Sequence, residues 1–158
     1  MCEDLIIRTA RQSDVNSIVQ LWREFMEYHA EIDPHFAITN HSDRHFIDYL
    51  GQLISSRMAR VRVAVIDGQI CGYITAKIET RPPIFVQKRH GMISDLAVSA
   101  DCRRHGIGRR MTEDVLQWFE SRHVNRVELI LLTANPLSTR FWQSMGFKTY
   151  CARLFREI

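Results

Sequence analysis

The pattern of apolar and polar positions predicts a chain in which helices and strands alternate. Apolar residues recur at helical spacing from Val15 to Met26, and again from Phe46 to Ile54. Apolar runs typical of strands occupy residues 5–7, 61–66, 70–78, 92–98, 124–132 and 147–155. Two more helices fit the stretches that end near residues 122 and 146. The predicted order is therefore strand, two helices, three strands, helix, strand, helix and strand.

Turn and cap residues separate these elements. Asp67-Gly68 predicts a two-residue hairpin turn of type I′. Asn135 before Pro136 is typical of a helix N-cap followed by proline at the first helical position. Gly146 is suited to the left-handed position that follows a helix. Residues 81–90 contain two prolines and predict a loop or an edge excursion, because proline cannot continue a central strand.

The most informative stretch is residues 91–110, GMISDLAVSADCRRHGIGRR. It predicts a mostly buried strand carrying one acid, Asp95, then a polar turn, and then the start of a helix. Glycine lets the backbone come close to a ligand, and the first amides of a helix have no internal partner. The helix dipole adds positive character at the same point, so the stretch favours an anionic group such as a pyrophosphate.

Two common phosphate-binding motifs do not fit this stretch. No Gly-Lys-Ser/Thr sequence ends the loop, which excludes the phosphate loop of nucleotide hydrolases. Gly106 and Gly108 lack the third glycine of a dinucleotide fingerprint, and the strand before them does not begin the chain. A solvated Gly-Ile-Gly helix start would be the interpretation if the two glycines stood alone.

The full pattern Arg-x-x-Gly-x-Gly after a Leu-Ala-Val strand resembles the acetyl-coenzyme A loop of the GCN5-related N-acetyltransferase (GNAT) superfamily. Asn135 through Trp142 to Gly146-Phe147 also resembles that family's Asn…Tyr-x-x-x-Gly-Phe motif. The resemblance implies that the strand end presents its backbone to the pantetheine arm, that the loop amides surround the pyrophosphate, and that the Asn lies beside the pantetheine. The implied coenzyme contacts are Leu96, Ala97, Val98, Arg103, Arg104, His105, Gly106, Ile107, Gly108, Arg109, Asn135 and Trp142.

The same resemblance covers almost the whole chain and implies its fold and activity. The expected fold is an α/β domain over residues 1–158, with a mixed, mostly antiparallel sheet flanked by helices and split between its central strands. The expected function is direct transfer of acetyl from acetyl-coenzyme A to a primary amine in a ternary complex. A homodimer is expected because dimers are common in the family. The alternative function is a coenzyme-binding regulatory or sensor protein with weak or no activity.

The side chains that often carry catalysis in the family are replaced here. Trp142 stands at the position of the tyrosine that often protonates the thiolate in the family, and its indole cannot transfer a proton. The glutamates used as general base fall at Ser94 and Ile130 in two subgroup patterns. Asp95 is therefore the candidate catalytic residue, acting with a water as relay, and a purely structural hydrogen-bonding role for it stays open. Weaker alternatives are Glu79 and Glu128 as bases, and Tyr28, Tyr73 and Tyr150 as acids.

Recognition of the acceptor is expected from the first two helices and the loop at residues 81–90. The acids and aromatics near the end of the first helix could bind a cationic amine, or could form a solvated helix end. They are Tyr28, His29, Glu31, Asp33 and His35. The acceptor is a small molecule or a protein amine, and the sequence does not identify it.

Composition narrows the class of protein further. The chain has 158 residues, 46% of them apolar, and a formal net charge of +3, which does not argue for nucleic acid binding. No apolar run is long enough to span a bilayer and the first residues do not resemble a signal peptide, so the cytoplasm is expected.

The cysteines at positions 2, 71, 102 and 151 form no paired motif and predict free thiols. His41 and His45 have a spacing that could hold a metal, but no third ligand accompanies them, and no metal is expected.

Overall fold

The protein is described from a computed structural model that covers residues 5–158. Cys2 and the other residues before position 5, on which the signal-peptide expectation rests, lie outside the described part. The helices are α1 (Val15–Ile32), α2 (Ser42–Ser55), α3 (Ile107–Ser121) and α4 (Pro136–Ser144). The strands are β1 (Ile6–Thr9), β2 (Ala59–Ile66), β3 (Gln69–Thr80), β4 (Arg89–Val98) and β5 (Val127–Leu129). Within residues 5–158, no helix has both the length and the apolar character needed to cross a membrane.

The five strands form one open, mixed sheet in the order β1-β2-β3-β4-β5. The first four pair antiparallel with their neighbours, and β5 pairs parallel to β4. The β2–β3 turn contains Asp67 at φ 50° and Gly68 at φ 77°. These positive φ values at both central residues are those of a type I′ turn, as the sequence predicts.

Helices cover both faces of the sheet. On one face α1 and α2 pack on β2 and β3, with Ile18, Leu50, Val63 and Tyr73 fully buried. On the other face α3 and α4 pack around Ile74, Met111, Val115 and Phe119, which are also fully buried. Each helix therefore turns an apolar stripe to the sheet, which accounts for the helical spacing in the sequence.

A glycine in β4 sets how closely α3 approaches the sheet. The ring of Phe119 lies so near Gly91 that an added Cβ would be 2.6 Å from it. A side chain at position 91 would therefore displace a fully buried aromatic ring, and the expected cost is on the order of the 1–3 kcal/mol typical of overpacking. This contact holds the C-terminal part of α3 close to the start of β4.

The strands β4 and β5 remain together over only a short distance. Their parallel register ends at Ile93 opposite Leu129. Next to this point the β3–β4 register shifts between Thr75 and Ala76, because Thr75 pairs with Asp95 while Ala76 pairs with Ile93. Ser94 is the extra residue of this β-bulge, which bends the strand locally. The bulge and the divergence of β4 from β5 open the sheet between its last two strands, and not between central strands as expected, because no strand forms at residues 147–155 beyond β5.

The structure corrects two predicted strands. The predicted strand at residues 147–155 is wrong: these residues have no strand structure, and Leu154 and Phe155 are exposed. The predicted strand at residues 124–132 is reduced to β5. In both cases the apolar pattern is present, but a strand also needs a partner for its backbone hydrogen bonds. Residues 130–132 lie too far from β4 to pair with it, and residues 147–155 pair with no described strand.

Candidate functional site

The divergence of β4 from the edge strand β5 produces a cleft between the last two strands of the sheet. Its walls are formed by residues 93–96 of β4 on one side and by residues 129–132 on the other. Phe25 and His29 of α1 and Trp142 of α4 close it from the two helical layers. Beyond Ile93 no described residue of β5 pairs with β4, so backbone groups on that side of β4 face the cleft. The lining combines apolar side chains with the polar groups of His29, Ser94, Asp95 and Ser138, and convergent polar groups in such a cleft are typical of a ligand site.

Asp95 lies in this cleft, where the sequence analysis expects its candidate acid. The Thr75 hydroxyl donates to Asp95 Oδ2 over 3.0 Å, and the Asp95 amide donates to the same hydroxyl oxygen over 3.1 Å. Burial raises the pKa of Asp95 above its ordinary value, while the Thr75 hydrogen bond and the charge of His29 act against that rise. Asp95 thus has a structural hydrogen-bonding role, which the sequence left open: it links β4 to β3 beside the bulge.

His29 lies across the cleft from β4, on α1. Its Nδ1 is 2.7 Å from the main-chain oxygen of Phe25, and its ring packs on the Phe25 ring with centroids 4.2 Å apart. From the sequence, His29 is expected only in acceptor recognition. Its position four residues after Phe25, on the same helical face, is the one signal that could have placed it beside the sheet.

The tyrosines considered as alternative acids do not reach the cleft lining. Tyr73 is fully buried and its hydroxyl has no hydrogen-bond partner among the described residues. Burial raises the pKa of Tyr73 well above its ordinary value, and the nearby charge of Asp95 adds to this effect. Tyr28 is partly exposed on α1, and the exposed Tyr150 donates to Glu128 over 2.7 Å.

The glutamates considered as alternative bases are held in ion pairs. Glu79 lies 2.9 Å from Lys77 and 3.4 Å from His90. Glu128 accepts from Arg126 over 2.6 Å. Neither carboxylate lines the cleft. The positions at which family glutamates are expected hold the bulge residue Ser94 and an exposed isoleucine, Ile130.

The loop between β4 and α3 has the geometry expected of an anion-binding turn. A short 3-10 turn, Ala100–Cys102, follows β4, and then Arg104 and Gly106 both take positive φ values, 65° and 74°. Gly106 is the N-cap of α3 and supplies no side chain to cap the helix. The Arg103 Nε donates to the Val98 oxygen over 3.1 Å, which fastens the loop to the end of β4. His105 Nδ1 lies 3.3 Å from the Cys102 oxygen.

This loop leaves the first amides of α3 pointing outward. The Arg110 amide donates to the Gly106 oxygen over 3.0 Å, so the helical bonding begins there. The three amides before it, from Ile107 to Arg109, therefore have no partner within the helix. Arg109 is exposed, and its guanidinium lies 3.8 Å from the carboxylate of Glu113, one turn later in α3. Backbone amides, a helix N-terminus and exposed arginines thus meet at one point, which fits a pyrophosphate.

Two further predicted coenzyme contacts lie on or before α4. Asn135 is buried, and its side-chain oxygen accepts from the Ser138 amide over 3.1 Å, which confirms the predicted N-cap. Trp142 is buried between the rings of Phe141 and Phe147, with centroids 4.9 and 5.2 Å away, and lines the cleft beside Asp95. The structure therefore brings Trp142 together with the end of β4, while Asn135 stabilises the start of α4.

Comparison with known proteins agrees with this geometry. The model of the acetyltransferase (GNAT) family matches residues 16–147 of the chain. The chain belongs to the GNAT family of acetyltransferases. A curated relative, N-acetyltransferase family 8 member 3 of Rattus norvegicus, is 32% identical over 112 residues, 71% of this chain and 47% of the rat protein. The chain thus spans about half the length of that relative.

Solved structures of the same fold extend the comparison over the full chain. The BH1408 protein of Bacillus halodurans, as a tetramutant, aligns with a TM-score of 0.88 at 23% identity, over 97% of this chain and 99% of that one. A predicted acetyltransferase of Clostridium acetobutylicum with acetyl-CoA aligns with a TM-score of 0.77 at 17% identity, over 98% and 96%. An aminoglycoside N-acetyltransferase in complex with CoA aligns with a TM-score of 0.77 at 15% identity, over 98% and 95%. At these identities the similarity concerns the fold.

Proposed function

We propose that the protein transfers acetyl from acetyl-coenzyme A to a primary amine, by direct attack in a ternary complex. The observation that carries this proposal is the cleft between β4 and β5. It places Asp95 and Trp142 at one opening in the sheet, next to the loop that suits a pyrophosphate. Membership of the acetyltransferase family supports the acetyl donor, and the acetyl-CoA bound to a protein of the same fold supports it further.

The coenzyme would lie along the end of β4 and the start of α3. We propose that the backbone of Leu96, Ala97 and Val98 contacts the pantetheine arm and that the amides from Arg104 to Arg109 hold the pyrophosphate. Arg103 would act indirectly, by fastening the loop to Val98. Asn135 would hold α4 in place beside the arm, and Trp142 would pack on the coenzyme. The bulge at Ser94 exposes backbone that can donate to the thioester oxygen as negative charge develops there.

The acceptor amine must be neutral when it attacks, and the cleft supplies a carboxylate for that purpose. Asp95 is our candidate catalytic residue: ionised, it stabilises the positive charge that forms on the attacking nitrogen. Exact placement of the amine in the cleft reduces the barrier further. The acceptor is proposed to be a small-molecule amine, in line with the aminoglycoside enzyme of the same fold. A cytoplasmic location and a homodimer stay predictions.

A thiol-release assay tests the proposal. The protein is incubated with acetyl-coenzyme A and, separately, with kanamycin, spermidine, lysine or a short peptide with a free N-terminus. Release of coenzyme A above the rate without amine, with at least one acceptor, is the expected result. Tight coenzyme binding with no amine-dependent release from any of the four would favour the regulatory alternative. Gly108→Glu, described in the Discussion, provides a matched control without coenzyme binding.

A further inference from the structure

A backbone carbonyl of α1 selects one tautomer of the neutral His29 ring. Its Nδ1 is 2.7 Å from the Phe25 carbonyl oxygen, one turn earlier in α1. A carbonyl oxygen can only accept, so the hydrogen of the neutral imidazole is on Nδ1. The Nε2 atom therefore keeps its lone pair and can accept a proton.

The orientation of the ring is also restricted by packing. The Phe25 ring lies with its centroid 4.2 Å from that of His29, and the Phe36 ring lies 5.9 Å away on the turn after α1. His29 is half-buried, with these aromatic contacts on its sides. A base that is held in place before the substrate arrives loses little freedom during the reaction.

The surroundings of His29 supply a counter-charge. His29 lines the same cleft as Asp95 and Trp142. The charge of His29 acts against the rise in the pKa of Asp95, so the two side chains lie near enough to interact. The carboxyl of Asp95 thus lines the cleft where it can offset a positive charge that forms on His29 during the reaction, without a direct hydrogen bond to the ring.

We infer that His29 is the general base of the acetyl transfer proposed above, and that Asp95 stabilises its protonated form. This inference rests on the proposed function. The amine nitrogen attacks the thioester carbon, so that the N–C bond forms and the C–S bond breaks. The nitrogen loses one proton to His29 Nε2, and the leaving thiolate, which takes the C–S electron pair, gains one proton. His29 then returns its proton through water to the thiolate, so that coenzyme A leaves as the thiol, the imidazole is neutral again and no further reactant is needed.

The test compares variants of His29 with a histidine outside the cleft. His29→Gln and His29→Ala remove the base, and the matched control is His45→Gln, at an exposed position of α2. The assay is acetyl transfer to the fastest of the four amines named above, with kcat and the KM for acetyl-coenzyme A measured separately. Coenzyme binding by calorimetry and the melting temperature show that each variant is folded.

The expected result is a fall in kcat of about 10²-fold or more for His29→Gln, with the KM for acetyl-coenzyme A unchanged. Added imidazole should restore part of the activity of His29→Ala, since a free base can enter the space that is left. The double variant with Asp95→Asn should lose no more than His29→Gln alone, because the two residues act on one proton. The control should keep the wild-type kcat within about twofold.

Two outcomes would overturn the inference, and they differ from failure of the proposed function. A kcat for His29→Gln equal to that of His45→Gln shows that another group takes the proton. A loss of kcat that imidazole does not restore, with additive effects in the double variant, shows that His29 acts only through structure. If His29→Ala does not fold, the Gln variant and the double variant still decide. A wild-type protein inactive with all four amines refutes the proposed function itself, and this inference with it.

Discussion

At the scale of single residues, the surroundings of Asp95 decide how its carboxyl group ionises. The sequence places one acid in a buried strand, and the structure adds the Thr75 hydroxyl and the nearby His29. Because burial is the largest effect, the folded protein favours the protonated carboxyl more than the unfolded chain does. The consequence is a measurable dependence of stability on pH.

Asp95→Asn should gain stability relative to the wild type as the pH rises. The raised pKa of Asp95 stabilises the folded wild type, and this effect is fully present at pH values below the pKa of the carboxyl in the unfolded chain, about 3.9. It is lost as the pH rises through the higher pKa of the folded state, whereas asparagine does not ionise. Calorimetric melting temperatures across this window measure the difference, with the exposed Asp101→Asn as control. A variant that becomes progressively less stable than the wild type with rising pH would contradict the assignment.

Trp142 is predicted to serve binding and packing, and to take no part in proton transfer. Trp142→Phe keeps a ring between Phe141 and Phe147 and should retain most of the turnover. Trp142→Ala removes a buried ring, so it should weaken coenzyme binding and lower stability by about 3–5 kcal/mol. Calorimetry with coenzyme A and the kcat of both variants measure these effects. A collapse of kcat in the Phe variant with intact coenzyme binding would show that the indole has a chemical role.

At the scale of elements, the start of α3 is the part of the fold on which coenzyme binding is proposed to depend. Gly108 lies in the first turn of α3, where an added Cβ would be 3.5 Å from the Phe141 ring and 3.8 Å from Leu96. These are ordinary contact distances, so alanine fits at this position. A longer, charged side chain would extend past these contacts and place a negative charge beside the first turn of α3.

Gly108→Glu should abolish coenzyme A binding, because it adds bulk and negative charge where the pyrophosphate is proposed to lie. Gly108→Ala is the matched control and should keep binding, since it fits between Phe141 and Leu96. Isothermal calorimetry with coenzyme A measures both, and the rise in melting temperature with ligand gives an independent value. Equal binding of coenzyme A by the Glu and Ala variants would show that the loop is not part of the coenzyme site.

Helices and turns could be predicted from the sequence more reliably than the strands at one edge of the sheet. The Asn135 cap and the Asp67-Gly68 turn depend on residues that are close in sequence, and both are confirmed. The strand expected at residues 147–155 depends on a distant partner, which the sequence pattern does not reveal. The bulge at Ser94 also went unpredicted, because it is a mismatch between two strands.

At the scale of the whole molecule, the site combines parts that are far apart in sequence. The motif at residues 103–110 and the family resemblance predict the coenzyme loop. They did not reveal that the end of α1 reaches the cleft, so His29 was assigned to acceptor recognition alone. Only the packing of α1 on the sheet brings His29 and Asp95 to one cleft.

The most direct test of the central claim follows the acetyl group itself. The protein is incubated with acetyl-coenzyme A labelled in the acetyl carbons and with the amine that releases thiol fastest, and products are identified by mass spectrometry. The account predicts that the label moves to the amine nitrogen, that both substrates must be present together, and that no labelled protein accumulates. Label that stays on the coenzyme although it is bound, or label that accumulates on the protein before reaching the amine, would contradict direct transfer at this cleft.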